Sequence, residues 1–400
     1  MLTEADLRAT EALTAVQPAW TGLRTAADAL QLQPHTLLHC GPPADPPHAL
    51  VKPILNSAAV ACVFEGWAND LDEAIALVRS GSIRFLPAQD RLVATPMAAV
   101  VSPSMRMIEM TDLADTASRC YAPINGGGHG GSPVPRYGRR APECVDFLQF
   151  LNGAVADLLE DISADPLPWL PLIDDALIGG DDTHLRHAAA HTRLIEIFDK
   201  RQSANSSHAA ANAFVREWPF VHLNFWMAAV RCVLDGASDV ASSSLVTAFG
   251  GNGEVFGLQV SGLPGRWFTV EATPPLGKLR GGFTAADTTG AFGDSAVIEA
   301  FGLGALAHRY APQMHELFTG HRHDDLLSLP AKLLATEHPG LPQSRARVGL
   351  VARNVTTHRA TPVVELGIVD RRGEAGGLGA GLYRPPVEPF DSACAALDGA

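Results

Sequence analysis

Residues 244–260 read S-L-V-T-A-F-G-G-N-G-E-V-F-G-L-Q-V, two apolar runs joined by a turn of glycine and asparagine. This arrangement is typical of a β-hairpin. The sequence before the hairpin follows a different period. Residues 145–158, 185–198 and 207–234 carry apolar side chains three or four positions apart, which predicts helices. The change of period near residue 240 predicts a boundary between a helical domain and a domain that contains a sheet.

The rest of the chain also alternates between strand-like and helix-like patterns. Residues 36–40 and 83–86 are short apolar runs that predict strands, and residues 70–80 predict an amphipathic helix between them. Residues 363–369 predict a strand in the last third. We therefore predict an α+β multidomain protein in which two mixed α/β domains flank a central all-helical domain. The predicted domains are residues 1–140, with a glycine- and proline-rich linker at the end, residues 141–240 and residues 241–400.

The charge of the chain excludes some partners. Its 400 residues include 30 Lys and Arg against 43 Asp and Glu, a formal net charge of −13. Nucleic acids and anionic membranes are bound by clustered positive charge, so neither is a predicted partner. No apolar run predicts a membrane span, and the acidic N-terminus lacks the pattern of a signal peptide. The six cysteines are scattered, which predicts reduced thiols, and we expect a cytoplasmic protein.

Two common enzyme signatures are excluded. Residues 126–131 match G-x-G-x-x-G, but no strand precedes them, and Pro133 and Pro135 prevent a regular helix after them. The chain also lacks a Walker A sequence and the G-x-S-x-G turn of the α/β-hydrolases.

Residues 179–187, G-G-D-D-T-H-L-R-H, form the densest polar cluster of the sequence. If a helix begins near Asp181, then His184, His187 and His191 lie on one face of it. Three interpretations remain open. The acids stabilise the start of the helix, the cluster binds or transforms a substrate, or it binds a metal ion with ligands from elsewhere.

Other polar residues also have both a structural and a functional interpretation. The glycine-rich residues 376–381, followed by Arg384, form either an ordinary tight loop or an anion-binding loop beside a guanidinium. His39 ends a predicted strand and either faces a cleft or is structural. Glu65 follows an apolar run, so it needs a partner or exposure to solvent. Asp294 opens a predicted helix, either as its N-cap or as a side chain aimed at a site.

Several of these fragments together resemble one family, the G-subunit family of oxamate carbamoyltransferase. Residues 37–43 (L-L-H-C-G-P-P) and 64–68 (F-E-G-W-A) match two of its patterns. Residues 180–187 are similar to its G-D-E-x-H-x-R-N pattern, and residues 222–224 to its F-L-N. The similar stretches of the last third are residues 244–263, 293–299 and 379–386, the last two resembling G-D-S-A-x-x-E and G-A-G-x-x-R-x-P.

Part of the first domain departs from the family pattern. Residues 88–91 read A-Q-D-R where the family carries a Cys-His-His stretch. Two further family patterns between residues 119 and 138 survive only at isolated positions. The resemblance therefore implies a changed polar pocket in the first domain.

The resemblance implies a carbamoyltransferase-like enzyme or enzyme subunit that acts on a carbamoyl or amide group of a small acid of the oxamate or oxalurate type. The alternatives are a diverged member with a changed reaction in specialised metabolism and a non-catalytic assembly subunit. No metal and no resident cofactor are predicted, and phosphate or carbamoyl phosphate is the expected co-substrate. The expected partners are other subunits of a carbamoyltransferase assembly. A homo-oligomer is also expected, because the apolar residues 225–230 exceed what a small helical domain buries.

The resemblance and the chemistry of the residues together predict a site between the helical domain and its neighbours. Carbamoyl transfer needs a group that stabilises the carbamoyl oxygen, a clamp for an anion, and an acid or base. The predicted catalytic residues are His184, Asp181 and Asp294. The predicted substrate-binding residues are His39, Gly41, Glu65, Asn224, Gly379, Gly381 and Arg384.

Overall fold

Helices and strands alternate along the chain in the computed structural model, which describes residues 2–44, 49–128, 130–202, 208–318 and 323–399. In chain order the strands are β1 (Pro18–Thr25), β2 (Thr36–His39), β3 (Arg84–Pro87), β4 (Arg106–Asp112), β5 (Arg119–Pro123), β6 (Leu167–Pro168), β7 (Val246–Asn252), β8 (Val255–Val260), β9 (Phe268–Glu271), β10 (Leu276–Leu279), β11 (Phe292–Gly293), β12 (Leu334–Glu337), β13 (Arg347–Leu350), β14 (Val364–Val369) and β15 (Gly377–Tyr383). The helices are α1 (Glu4–Ala15), α2 (Ala26–Leu30), α3 (Lys52–Phe64), α4 (Leu71–Arg79), α5 (Pro142–Phe150), α6 (Ala156–Asp161), α7 (Leu170–Ile178), α8 (Ala188–Arg201), α9 (Ala209–Glu217), α10 (Leu223–Gly236), α11 (Val297–Phe301), α12 (His323–Leu333), α13 (Ala352–His358) and α14 (Glu388–Asp398). This mixture of helix and strand agrees with the predicted α+β class.

An antiparallel sheet of order β5-β4-β1-β6 supports the long helix α10. The helix packs against β1, β4 and β5, and its residues from Asn224 to Leu234 are buried. Phe225 contacts Trp20 of β1 edge-on, with 5.1 Å between ring centroids, and stacks on Trp169 at 5.3 Å. The apolar residues 225–230 are therefore buried within the chain. They no longer support the expected homo-oligomer, which stays a prediction.

The central segment is not entirely helical, so that part of the prediction is wrong. Strand β6 lies within residues 141–240 and pairs with β1, with Pro168 opposite Ala19. One hydrophobic core contains Leu13, Trp226 and Phe390, a residue from each predicted domain. The domain boundaries at residues 140 and 240 stay predictions.

The N-terminal segment also contains a small α/β unit. Strands β2 and β3 pair in parallel, and helices α3 and α4 pack against each other beside them. A second hydrophobic core gathers Leu37, Ile54 and Phe85 from these elements. The unit places the residues that follow β2 and β3 at one edge, where they meet the C-terminal segment.

The hairpin predicted from residues 244–260 is confirmed. Strands β7 and β8 pair antiparallel from Val246–Val260 to Gly251–Phe256, in a sheet of order β11-β7-β8-β9. A second sheet has the order β10-β15-β14. Strand β15 contains Gly379 and Gly381, so the prediction of a glycine-rich loop at residues 376–381 is wrong for all but its first residue.

The first helix is tied to the middle of the chain. Thr3 caps α1 by accepting a hydrogen bond from the Asp6 amide. The Oδ1 oxygen of the Asp6 carboxylate accepts hydrogen bonds from the Ser244 amide at 2.7 Å and from the hydroxyls of Ser243 and Ser244. The N-terminal helix is thus fixed to the start of the predicted C-terminal domain.

All six cysteines are buried free thiols, as predicted. Within the described residues, none of the helices combines the length and the apolar character needed to cross a membrane.

Candidate active site

A cavity of about 530 Å³ lies where the three sequence segments meet. The N-terminal segment contributes Met97, Arg136 and Tyr137, the central segment contributes His184, Leu185 and residues 217–220, and the C-terminal segment contributes Arg280, Ser295 and residues 377–380. A cavity of this size accommodates a small organic acid together with a phosphate group.

The loop before α8 places His184 in the wall of this cavity. One oxygen of the Asp182 carboxylate accepts hydrogen bonds from the amides of His184, Leu185 and Arg186, at 2.8–2.9 Å. The Asp181 carboxylate accepts the Ala190 amide at 2.8 Å, in the first turn of α8. The helix therefore begins at Ala188 and not near Asp181, and the three predicted histidines do not share a helical face.

Asp181 stabilises the start of a helix, which is one of the three interpretations of residues 179–187. Its carboxylate binds the N-terminus of α8, lies 3.6 Å from the Arg186 guanidinium and does not line the cavity. Burial raises the pKa of Asp181, and the backbone amides at the start of α8 oppose this rise.

His184 pairs with a buried carboxylate that is not among the site residues predicted from the sequence. Its Nδ1 lies 2.8 Å from Oε1 of Glu299 on α11, and both side chains are almost completely buried. Glu365 on β14 completes the group, since its carboxylate, that of Glu299 and the His184 imidazole offer ligand atoms within 4.8 Å of one another. Burial raises the pKa of Glu299, and the His184 imidazole opposes this rise. Burial, and then the charges of Asp182 and Glu299, raise the pKa of Glu365 well above its usual range.

Two arginines supply positive charge to the cavity. Arg136 donates hydrogen bonds to the Gly127 carbonyl at 3.1 Å and to the Tyr137 hydroxyl at 3.0 Å, and its guanidinium lies 4.5 Å from the centre of the Tyr137 ring. Arg280 donates to the Ala375 carbonyl at 3.0 Å. Neither makes an ion pair with a carboxylate of the described residues. Burial lowers the pKa of Arg136, and Tyr137 opposes this effect. The cavity therefore has guanidinium charge available to an anion.

Asp294 lies beside the cavity, and both oxygens of its carboxylate accept hydrogen bonds from other parts of the protein. It accepts hydrogen bonds from the Gly41 amide at 2.8 Å, from Gln89 Nε2 at 2.6 Å, and from the amide and hydroxyl of Thr95 at 2.9 Å. Burial raises the pKa of Asp294 to about 6, and these hydrogen bonds oppose the rise. Its neighbour Ser295 lines the cavity, whereas the Asp294 carboxylate joins the C-terminal segment to the residues that follow β2 and β3 in the N-terminal segment.

The stretch that departs from the family pattern has a structural role here. Gln89 donates to the Phe249 carbonyl at 3.0 Å and accepts the Phe249 amide at 3.1 Å, in addition to its bond with Asp294. Residues 88–91 do not line the cavity. The departure therefore does not remove polar groups from this cavity.

The predicted residues of the first domain also lie outside the cavity lining. His39 Nδ1 lies 2.7 Å from the Cys40 carbonyl, and burial lowers its pKa to about 4, which keeps the ring neutral. The Gly41 amide donates a hydrogen bond to Asp294. Glu65 accepts hydrogen bonds from Ser102 and Ser104.

The other predicted substrate-binding residues divide between the cavity and its surroundings. Gly379 lines the cavity from β15, while Gly381, two positions along the strand, does not. Asn224 donates to the carbonyls of Asn125 and Val221, at 2.8 and 3.1 Å. Arg384 extends toward Thr361, away from the cavity lining. The structure thus brings His184 and Gly379 together at the cavity, with Arg136 and Arg280 in the position expected of Arg384.

Comparisons with known proteins agree with the resemblance of the motifs. A sequence model described as "Oxamate carbamoyltransferase subunit AllG" matches residues 83–295. The chain is 26% identical to the oxamate carbamoyltransferase subunit AllG of Escherichia coli (strain K12), over 98% of this chain and 97% of that protein. It is 28% identical to the uncharacterized protein YahG of the same organism, over 90% of this chain and 78% of that protein.

A solved structure has the same fold. The crystal structure of a conserved protein of unknown function from Enterococcus faecalis V583 superposes with a TM-score of 0.90 at 26% sequence identity. The superposition covers 99% of this chain and 97% of that one. Since the family model matches more than half of the sequence, the chain belongs to the family of the oxamate carbamoyltransferase subunit AllG.

Proposed function

We propose that this chain is a carbamoyltransferase-type enzyme or enzyme subunit, and that its cavity binds a small acid with a carbamoyl or amide group, of the oxamate or oxalurate type. Phosphate or carbamoyl phosphate is the proposed co-substrate, and other subunits of such an assembly are the proposed partners. The observation that carries the proposal is the Arg136 guanidinium, which lines the cavity without a carboxylate partner among the described residues.

The two arginines form the proposed anion-binding end of the cavity. Oxamate, oxalurate and carbamoyl phosphate each carry a carboxylate or phosphate, which a guanidinium binds through charge-assisted hydrogen bonds. Gly127 and Tyr137 already fix the orientation of Arg136, so less side-chain entropy is lost when an anion binds.

His184, held in place by Glu299, forms the proposed polar end, where the carbamoyl group binds. During carbamoyl transfer, negative charge develops on the carbamoyl oxygen, and a fixed electropositive group near that oxygen stabilises the transition state. Glu299 fixes the imidazole through Nδ1, so the ring is oriented before the substrate arrives. Asp181 and Asp294, whose carboxylates bind backbone and side-chain donors, support the loops on either side.

The binding step is tested by titration calorimetry with oxamate, oxalurate and carbamoyl phosphate. Removing a charge-assisted hydrogen bond costs about 1.5–3 kcal/mol, so Arg136→Gln is expected to weaken binding by about 10- to 150-fold. Arg384→Gln is the matched control, because this arginine contacts Thr361 and does not line the cavity, and its affinity should stay within about twofold of the wild type. Equal affinities of the wild type and Arg136→Gln would contradict the proposal.

The reaction is tested separately, by formation of carbamoyl phosphate from oxalurate and phosphate. The assay is run with the chain alone and with candidate partner subunits. Turnover by the chain alone would support the proposal that the chain is itself an enzyme. Turnover that needs partner subunits, together with binding of the substrate by this chain, would support the proposal that it is a subunit of a catalytic assembly. If oxalurate binds but no combination turns it over, the carbamoyltransferase proposal is wrong and a changed reaction replaces it.

A further inference from the structure

Three carboxylates surround the imidazole of His184 in the interior of the protein. Glu299 and Glu365 are 0% exposed, Asp182 is 1% exposed and His184 is 2% exposed. They come from the loop before α8, from α11 and from β14. The ligand atoms of His184, Glu299 and Glu365 lie within 4.8 Å of one another.

Several carboxylate oxygens in this group have no hydrogen-bond partner. Glu299 Oε1 accepts from His184 and from the Glu365 amide at 3.2 Å, but Glu299 Oε2 is unpartnered. Both side-chain oxygens of Glu365 and one of Asp182 are also unpartnered. No arginine or lysine of the described residues forms an ion pair with these acids. Unpaired carboxylates are costly in a protein interior, so the group is neutralised either by protons on the carboxyls or by a bound cation, and the unpartnered oxygens aimed into it favour the cation.

We propose that this cluster binds one divalent transition-metal ion, with His184, Glu299 and Glu365 as its ligands. An imidazole and two carboxylates are a donor set suited to zinc or manganese. Two donors at about 2.1 Å from one ion are at most about 4.2 Å apart, so a small inward shift of the side chains completes the site. The two carboxylates balance the charge of the ion.

The cluster adjoins the cavity through one of its members. His184 lines the cavity, whereas Glu299 and Glu365 are absent from its lining, so the ion would lie at the cavity wall beside His184. An ion there polarises a carbamoyl oxygen as a Lewis acid. This role in the reaction rests on the proposed function, while binding of the ion does not and is tested without substrate.

The sequence predicts no metal because the ligands stand 115 and 66 positions apart along the chain. The histidines that do recur at short spacing are engaged elsewhere. His191 Nδ1 lies 2.9 Å from His222 Nε2, and its other nitrogen contacts the Arg216 carbonyl.

The test is metal binding to the full-length protein after treatment with a chelator. Zinc chloride and manganese chloride are titrated by calorimetry, and bound metal is measured by mass spectrometry after gel filtration. We expect about one ion per chain for at least one of the two metals. Glu365→Gln and Glu299→Gln should each weaken binding at least 10-fold, since even the residues that orient metal ligands contribute about 10- to 100-fold.

Two control variants make the result specific. Glu109→Gln changes a buried glutamate of β4 that contacts Thr21 and Arg24, outside the cluster, and should bind metal as the wild type does. His191→Ala should also bind normally. Circular dichroism establishes that each variant is folded. The proposal is overturned if the wild type binds neither metal, if folded Glu365→Gln binds with unchanged affinity, or if only His191→Ala loses binding.

Discussion

Gly41 and Gly66 offer a controlled test of how the first domain is joined to the C-terminal segment. Both have φ +72°, in the left-handed region that favours glycine. A Cβ at Gly41 would lie 2.2 Å from the carbonyl carbon of Gly251 and 2.5 Å from the Asn252 nitrogen, whereas nothing lies within 4 Å of a Cβ at Gly66. Both backbone atoms belong to β7, which is paired on two sides and cannot easily move.

The expected losses of stability follow from this geometry. Alanine at φ +72° costs about 1–2 kcal/mol in both variants, and restriction of the unfolded chain returns about 0.4–1 kcal/mol in both. Gly66→Ala should therefore lose about 0–1.6 kcal/mol. Overpacking adds about 1–3 kcal/mol in Gly41→Ala alone, so its total loss should be about 1–4.6 kcal/mol.

The assay is equilibrium unfolding in urea, followed by tryptophan fluorescence and circular dichroism. The difference between the two variants is the informative quantity, because backbone strain and unfolded-state entropy cancel in it. Equal losses would refute the close contact between Gly41 and β7.

Three further predictions use the same measurements. Asp181→Ala should cost about 1 kcal/mol of stability through the lost contact with the Ala190 amide, and its affinity for oxalurate should stay within about twofold of the wild type. Loss of oxalurate binding without loss of stability would favour a catalytic role. His39 has a pKa of about 4 in the folded protein against 6.5 when unfolded, so it contributes stability above pH 6.5 that is lost as the pH falls toward 4. That loss is about 2 kcal/mol between pH 7 and pH 5. The variant His39→Asn should lack this contribution to the pH dependence of the unfolding free energy. A pH dependence equal to that of the wild type would contradict a neutral buried imidazole. Phe225→Ala should cost about 3–5 kcal/mol by emptying the contact between α10 and the sheet, and a loss below 1 kcal/mol would show that this contact is not part of the stable core.

Local patterns predicted local structure well. The hairpin at residues 244–260 depends on neighbouring residues, and it is confirmed. The glycine run at residues 376–381 was predicted as a loop because glycine disfavours strands in isolation. Pairing with β10 on one side and β14 on the other makes most of it a strand, and no local signal carries that information.

The candidate site was only partly accessible from the sequence. His184 was selected because it lies in a dense polar cluster, and it does line the cavity. Its partners Glu299 and Glu365 were missed because the histidine pairing is created by the tertiary fold. A signal for Glu365 did exist, since it is a single acid within the apolar run of β14, where a charge needs a partner. Arg384 was selected because it follows glycines, but the direction of β15 carries it to Thr361.

The contact between Asp6 and Ser244 has a consequence for synthesis of the protein, because it joins residues 238 positions apart. Ribosomes add about 5–20 residues per second, so roughly 10–50 s pass between the emergence of α1 and that of its partner. During this interval Leu13, a core residue of α1, lacks the C-terminal part of its core. The nascent N-terminal half therefore cannot complete the core around α1 until more than half of the chain has been made.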